Sequence, residues 1–250
     1  MDGVSVSGSR SRRFMLVAAS LLCLAPSGAC TPYIGTTYKS FVRQARENPD
    51  PNIRYIAYAK LGSPSLYEDQ AQKDEAVKIM VAKLEDGREP IAIRAAIIRS
   101  LGNLGDHRAR KAMLRGVRDT DNAMIRVESC RALGKVGLPE DATTLARIMT
   151  IDKLEDCRIA AIEALGTLKS QEPRIMQLLL EGMDHDDPAI RFQCLESLRA
   201  ITQKDYGIDP ADWRRELQPM LAKDAAPKTT QKNAAASQKK VASKTILGPN

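Results

Sequence analysis

One helical sequence recurs along the chain, and this repetition limits the possible folds more than any other feature. The copies read IRYIAYAKLGSPS at 53–65, IRAAIIRSLGNLG at 93–105, IRVESCRALGKVG at 125–137, CRIAAIEALGTLK at 157–169 and IRFQCLESLRAIT at 190–202. Each copy has an arginine at its second position, and these anchor arginines are Arg54, Arg94, Arg126, Arg158 and Arg191, separated by 40, 32, 32 and 33 residues. A nearly fixed period of about 20–50 residues is the signature of stacked structural repeats.

Residues at fixed offsets from the anchor arginines indicate which side of each helix is buried. At about 100° per residue, offsets −1, +3, +4 and +7 fall on one arc, and they are almost all apolar or small. Offset +7 is leucine in every copy: Leu61, Leu101, Leu133, Leu165 and Leu198. Offset +8 is glycine in four copies, at Gly62, Gly102, Gly134 and Gly166, whereas the fifth has Arg199. We predict that these glycines end the helices as C-terminal caps.

A second helical pattern lies between successive copies. It covers Ala71–Leu84, Ala109–Val117, Ala142–Met149 and Pro173–Met183, so each repeat is predicted to be a pair of helices. One pair cannot bury its apolar face alone, and neighbouring pairs must therefore stack. Aromatic residues make up only 4% of the chain, which favours helices over strands.

The chain then shows the start of one more helix. Asp209 is a suitable N-cap and Pro210 a suitable first residue. We predict a capping helix over Asp209–Leu221 that covers the last repeat, with Trp213 as its apolar plug.

The repeated motif resembles the HEAT-repeat family, in the short-unit form also seen in bilin-lyase-like repeats. The matching features are the arginine, the small and apolar positions and the Leu-Gly pair, as in Ile93-Arg94 to Leu101-Gly102, and the turn at 184–188 rich in Asp and Pro. The resemblance implies an all-α fold, a right-handed α-solenoid of about five stacked helix pairs plus a C-terminal capping helix. We assign the solenoid to residues 37–203 and the capping helix to 204–222.

The N-terminal sequence is typical of an export signal. Arginines at 10, 12 and 13 precede the apolar run Phe14–Ala25. This run has 12 residues, whereas a helix that spans a membrane needs about 20. The sequence Ser27-Gly28-Ala29-Cys30 resembles the lipobox of bacterial lipoproteins, with Ser27 where leucine is usual. We predict a signal peptide at 1–29 and a linker at 30–36, with either lipidation of Cys30 or plain cleavage after Ala29. The protein would then reside in the cell envelope, as a membrane-anchored or a periplasmic protein.

The positive charge of the chain is confined to its two ends. The net charge is +7, of which residues 1–29 carry +2 and residues 223–250 carry +5, so residues 30–222 carry none. The segment 223–250 is rich in Lys, Ala, Ser and Thr, and we predict that it is a disordered basic tail. A neutral body lacks the dense basic surface that nucleic-acid binding requires, and we expect no nucleic-acid partner.

The anchor arginines lie within the apolar arc, where an unpaired charge is unfavourable. An acid stands in the turn before each anchor: Asp50, Glu89, Asp121, Asp152, and either Asp186 or Asp187. We therefore predict a structural ladder of arginine–carboxylate bridges between turns and neighbouring helices. Its members are Arg54, Arg94, Arg126, Arg158, Arg191, Asp121, Asp152 and Asp186.

The solvent-facing offset +5 is the candidate binding column. It holds Arg99, Arg131, Glu163 and Glu196, and so changes from basic to acidic along the stack. In the HEAT family the corresponding helices usually line the concave face, and complementary charges would set the register of a partner there. The alternative is that Arg131 and Glu163 pair across adjacent repeats.

The sequence predicts no catalytic, metal or cofactor site. Cys130, Cys157 and Cys194 occupy apolar positions without a CxxC motif, and a Cys130–Cys157 disulfide remains an alternative to free thiols. Acids around His185 stand at a helix start, where capping is favoured over metal binding.

The predicted function is a non-catalytic, monomeric scaffold that binds an unidentified protein partner on the concave face. The alternatives are an enzyme or enzyme subunit on the same fold, similar to a bilin lyase, and a surface linker acting through the basic tail.

Overall fold

The computed structural model of the protein describes residues 35–119 and 121–224. The predicted signal peptide at 1–29, Cys30 and the tail from residue 225 onward lie outside the described residues. The described residues form eleven α-helices joined by short turns, and they contain no strand, which confirms the all-α prediction. None of these helices is long and apolar enough to cross a membrane.

The helices are, in chain order, α1 (Tyr38–Glu47), α2 (Pro51–Leu61), α3 (Gln70–Asp86), α4 (Ile91–Leu104), α5 (Arg110–Gly116), α6 (Ala123–Val136), α7 (Ala142–Ile151), α8 (Glu155–Leu168), α9 (Pro173–Gly182), α10 (Pro188–Thr202) and α11 (Pro210–Asp224). Short 3₁₀ turns at Pro64–Leu66, His107–Ala109 and Pro139–Asp141 connect some of them.

The helices form five pairs, α1–α2 to α9–α10, that stack in two rows. The motif row consists of α2, α4, α6, α8 and α10, which carry the repeated sequence, and each packs against the next. The second row consists of α1, α3, α5, α7 and α9, which pack against the motif helices. The stack of five helix pairs confirms the predicted solenoid.

A single core runs through the stack between the two rows. The five leucines at offset +7 are fully buried, together with residues such as Ile97, Ile125 and Ile162. The core continues from Tyr38 at one end to Leu217 at the other. Burial of an aliphatic side chain contributes about 1.5–3 kcal/mol, so the leucine column is a major source of stability in every repeat.

The glycines at offset +8 have a different role from the one predicted. Gly62 is a helix C-cap, but α4, α6 and α8 continue for two residues beyond Gly102, Gly134 and Gly166, so the prediction of caps there was wrong. A Cβ atom on Gly134 would lie 2.8 Å from the Cα of Ala164 in the next motif helix. These glycines therefore permit close approach of neighbouring helices.

The close approach follows one register along the whole motif row. Each glycine at offset +8 contacts the small residue at offset +6 of the next helix, and these residues are Ser100, Ala132, Ala164 and Ser197. Arg199 occupies offset +8 in α10, and no motif helix follows α10 within the described part of the chain. It is instead paired with Glu196 and Asp205. The break in the glycine series thus marks the end of the row.

Helix α11 packs against α9 at the C-terminal end. The carboxylate of Asp209 accepts a hydrogen bond from the backbone N–H of Ala211, as an N-cap does. Trp213 is fully buried, and its indole Nε1 donates to the carbonyl oxygen of Gly207 at 2.9 Å. Its ring meets Tyr206 edge to face. This arrangement fixes the helix onto the last repeat.

Candidate interaction face

Two anchor arginines connect successive repeats through carboxylates. Arg126 donates from Nε to Asp152 at 2.9 Å, and Arg54 donates from Nη2 to Glu89 at 2.9 Å. Each acid precedes the anchor of the following repeat. The Arg126 and Asp152 side chains are only 13% and 7% exposed, so their bridge is shielded from solvent. The Arg54–Glu89 bridge and the Arg126–Asp152 bridge each contain more than one hydrogen bond.

Anchor arginines also bind the backbone of their own preceding turn. Nη1 of Arg54 donates to the carbonyl oxygens of Asn48 and Pro49, and Nη1 of Arg126 donates to that of Asp119. These contacts satisfy carbonyl groups where the turn enters the motif helix.

The predicted ladder is incomplete. Arg191 donates to the carbonyl oxygens of His185 and Asp186 rather than to a carboxylate, and up to residue 224 no further repeat follows that could present an acid to it. Arg94 and Arg158 make no ion pair with a described residue, and their Nε atoms are buried without a hydrogen-bond partner. Asp121 has an interaction of its own and is not a free carboxylate.

The turn that was expected to provide a carboxylate for Arg158 makes other contacts. Asp187 accepts from the backbone N–H of Ala189 as the N-cap of α10. Its carboxyl group also interacts with that of Glu155, and this interaction raises the pKa of Glu155. His185 accepts from the N–H of Asp187, so this turn is a capping structure. The described residues contain no cluster of His, Cys, Asp or Glu suited to a metal ion.

The Asp152 carboxylate is stabilised in its charged form. Burial by itself would raise its pKa, but hydrogen bonds from Arg126 and from the Leu154 N–H outweigh that effect and lower the pKa of Asp152 below its ordinary value. The neighbouring Cys157 is a free, buried thiol, as are Cys130 and Cys194, rather than half of a disulfide. Burial raises the pKa of Cys130 to about 12, which disfavours its reactive thiolate.

The candidate binding column forms a chain of ion pairs over three repeats. Arg99 contacts Glu128 at 2.6 Å, and Arg131 contacts Glu163 at 3.0 Å. Arg131 also lies 4.0 Å from Glu128, which joins the two pairs. The Arg131–Glu163 alternative considered from the sequence is thus present in the structure. Glu196 does not extend the chain, because it pairs with Arg199 on its own helix.

Glu128 is the one residue of this chain of ion pairs that was not predicted from the sequence. Its side chain is only 8% exposed and receives two hydrogen bonds from Arg99. It occupies offset +2, where the other copies have Ile56, Ala96, Ala160 and Gln193. The other four copies have an uncharged residue at offset +2, so the acid at this position could have indicated a special role for Glu128.

Apolar side chains flank the ion pairs on the same face. Phe192 and Tyr55 at offset +1 are 61% and 38% exposed, and Met124 at offset −2 is 53% exposed. Offset +1 lies four residues before offset +5, so the two columns are neighbours on one side of each helix. Val127 and Ile159 continue the apolar column, half-buried. We call this surface, with its ion-paired and apolar columns, the motif-row face.

Two rows of stacked helix pairs with one shared core define the class of α-solenoids. Within that class, the sequence matches the family model for HEAT repeats over residues 38–126 and 77–166, which together span more than half of the chain. The protein belongs to the HEAT-repeat family. No curated protein sequence matches it.

Solved structures provide a further comparison of the fold. The chain is similar to a chain in the complex of CpcE and CpcF of phycocyanin lyase from Nostoc sp. PCC7120, with 18% identity and a TM-score of 0.54, covering 73% of this chain and 69% of that one. It also matches human deoxyhypusine hydroxylase at 13% identity, with a TM-score of 0.34, over 66% of this chain and 85% of that one.

Proposed function

We propose that the protein is a non-catalytic scaffold that binds a protein partner on the motif-row face. The observation that carries this proposal is the exposed apolar column around Tyr55, Met124 and Phe192 beside a continuous chain of ion pairs. Binding energy at protein interfaces is concentrated in a few large side chains, whereas paired charges contribute specificity and register. This face provides both.

Packing supports the motif-row face as the concave surface of the stack. Motif helices approach so closely that a Cβ atom at offset +8 would overlap the next helix, whereas successive helices of the second row contact each other much less. When one of two stacked rows is more tightly spaced than the other, the stack curves toward the tighter row. A concave surface surrounds its partner and buries more area than a flat one, which suits binding by a small scaffold.

Site-specific photo-crosslinking in cells tests this proposal. A benzophenone amino acid at Phe192 or Met124 should crosslink one common partner, whereas the same group at Gln177, an exposed position on α9, should not. Phe192→Ser should reduce recovery of that partner while the melting temperature stays unchanged, because the side chain is exposed. Equal crosslinking from Gln177 would refute a partner specific to the motif-row face.

We further propose that the protein is exported and that Cys30 carries an acyl anchor. The order of arginines, apolar run and small residues before Cys30 supports this proposal. The test is the intact mass of the mature protein from the membrane fraction, beside a Cys30→Ala variant. A chain beginning at acylated Cys30, with the variant released to the soluble fraction, is the expected result. A mass beginning at unmodified Cys30 would refute the anchor but not export.

An enzyme subunit on the same fold is the second candidate. The observation in its favour is the similarity in fold to a chain of the CpcE–CpcF lyase complex, in which two proteins associate. A mature protein that retains residues 1–29 would favour this candidate, because export would then not occur.

A further inference from the structure

A separate groove lies beside the turns that follow α5 and α7, and none of its lining residues belongs to the exposed columns of the motif-row face. It has a volume of about 680 Å³ and runs between the end of α5 and helix α7. Its apolar lining comes from Val117, Ile148 and Ile151. Val117 is fully buried, whereas Ile151 is 60% exposed at the end of α7. A large aliphatic side chain this exposed at the edge of a groove is a potential contact for a ligand.

The bottom of the groove is structurally fixed. The shielded Arg126–Asp152 pair contributes to its lining, and this pair joins the third repeat (α5–α6) to the fourth (α7–α8). Asp119, which also lines the groove, accepts hydrogen bonds from the backbone N–H groups of Asp121 and Asn122. Both acids of the lining are therefore already engaged in internal contacts.

The rim of the groove carries an excess of positive charge. Arg118, Arg147 and Lys153 are exposed, and none of them forms an ion pair with a residue in the described ranges. Some exposed arginines elsewhere are neutralised: Arg99 and Arg131, for example, are paired with glutamates of adjacent helices. Three unpaired cations around an apolar groove stand out because residues 30–222 have no net charge.

We propose that this groove docks an acidic segment of a partner protein. One large apolar side chain of the segment packs against Val117, Ile148 and Ile151, and carboxylates on either side contact Arg118, Arg147 and Lys153. The charge pattern selects an acidic partner, and the apolar lining selects a peptide over a nucleic-acid backbone, whose phosphates offer no apolar group. This site would allow the scaffold to hold a second protein segment besides a partner on the motif-row face.

Fluorescence anisotropy with the full chain tests this site. The probe is a fluorescein-labelled seven-residue peptide with a central phenylalanine and three acidic residues on each side. We expect saturable binding that is weakened at least about tenfold by Arg147→Glu, which replaces attraction with repulsion, and also by Ile151→Ser. Arg43→Glu, at an exposed arginine of α1 without an ion pair, is the matched charge control and should leave binding unchanged.

Several outcomes would overturn the proposal. One is absence of saturable binding, and another is equal weakening by Arg43→Glu. A peptide with serine in place of phenylalanine that binds equally well would show attraction by charge alone. A single-stranded oligonucleotide whose binding depends on Arg147 but not on Ile151 would replace the peptide with a phosphate ligand. Self-association of the protein that Arg147→Glu abolishes would assign the groove to a second copy.

Discussion

The junction between the third and fourth repeats differs from the junction between the fourth and the fifth (α9–α10). Four ion pairs cross the first: Arg126–Asp152, Arg131–Glu163, Arg110–Asp141 and Arg110–Glu140. None crosses the second among the described residues. Arg158 has a buried Nε without a partner there, and two acids, Glu155 and Asp187, are adjacent to each other.

The apolar packing of the two junctions is nevertheless the same. Gly134 lies against Ala164 at the first junction, and Gly166 lies against Ser197 at the second. The hydroxyl of Ser197 donates to the carbonyl oxygen of Ile162, a contact that the first junction lacks because it has alanine at that position. The stack therefore depends on close helix packing, and ion pairs are variable additions to it. This is expected, because the free-energy cost of removing two charges from water offsets much of the attraction between them.

The largest expected difference between the junctions concerns their anchor arginines. Arg126→Ala should lower the free energy of unfolding by roughly 3–5 kcal/mol, because it leaves the shielded Asp152 carboxylate without its partner. Arg158→Ala should have a clearly smaller effect, since no carboxylate depends on it. Urea denaturation of both variants measures the difference. Equal losses would show that arginine packing, rather than pairing, stabilises the junctions.

The glycine contacts should respond alike at both junctions. Gly134→Ala and Gly166→Ala should each cost about 1–3 kcal/mol of unfolding free energy, because the added methyl group meets backbone atoms of the next helix. Arg199→Ala, at the same offset in the last motif helix, should cost little. Stabilisation by Gly134→Ala, as alanine gives in an isolated helix, would contradict the close-approach interpretation.

Acid should weaken the third–fourth junction through Asp152. Its pKa is lowered in the folded protein, so its contribution is complete above the unfolded value of about 3.9 and is lost as the pH falls through the folded value. Urea midpoints of the wild type and of Asp152→Asn should therefore converge as the pH drops below about 4. A gap that stays constant down to about pH 2 would exclude this carboxylate as a source of acid sensitivity.

The smallest expected effect is at the fourth–fifth junction. Glu155→Gln removes one of two adjacent acids, and we expect a slight rise in melting temperature near neutral pH. Glu163→Gln is the matched control, because it removes a carboxylate that is paired with Arg131 and should not stabilise the protein. An equal rise in both variants would indicate a general charge effect rather than local repulsion.

Much of the fold could be predicted from the sequence because its signals are local and repeated. The predicted segment Ala142–Met149 corresponds to α7 (Ala142–Ile151), and the capping helix was predicted from Asp209, Pro210 and Trp213. The contacts of the candidate site were harder to predict from the sequence. Arg99, Arg131 and Glu163 were placed on a solvent-facing column, but the partner of Arg99 was not identified, because Glu128 lies on the next helix at a different offset.

The sequence by itself determined the repeat, the helix pairs and the buried leucine column. These follow from helical periodicity, which each segment carries in its own residues. Only the tertiary structure decided that Gly102, Gly134 and Gly166 serve contact rather than capping, and that Arg126 is paired while Arg158 is not. The physical reason is that such roles depend on the distance and register between neighbouring helices, which side-chain packing sets after the helices have formed.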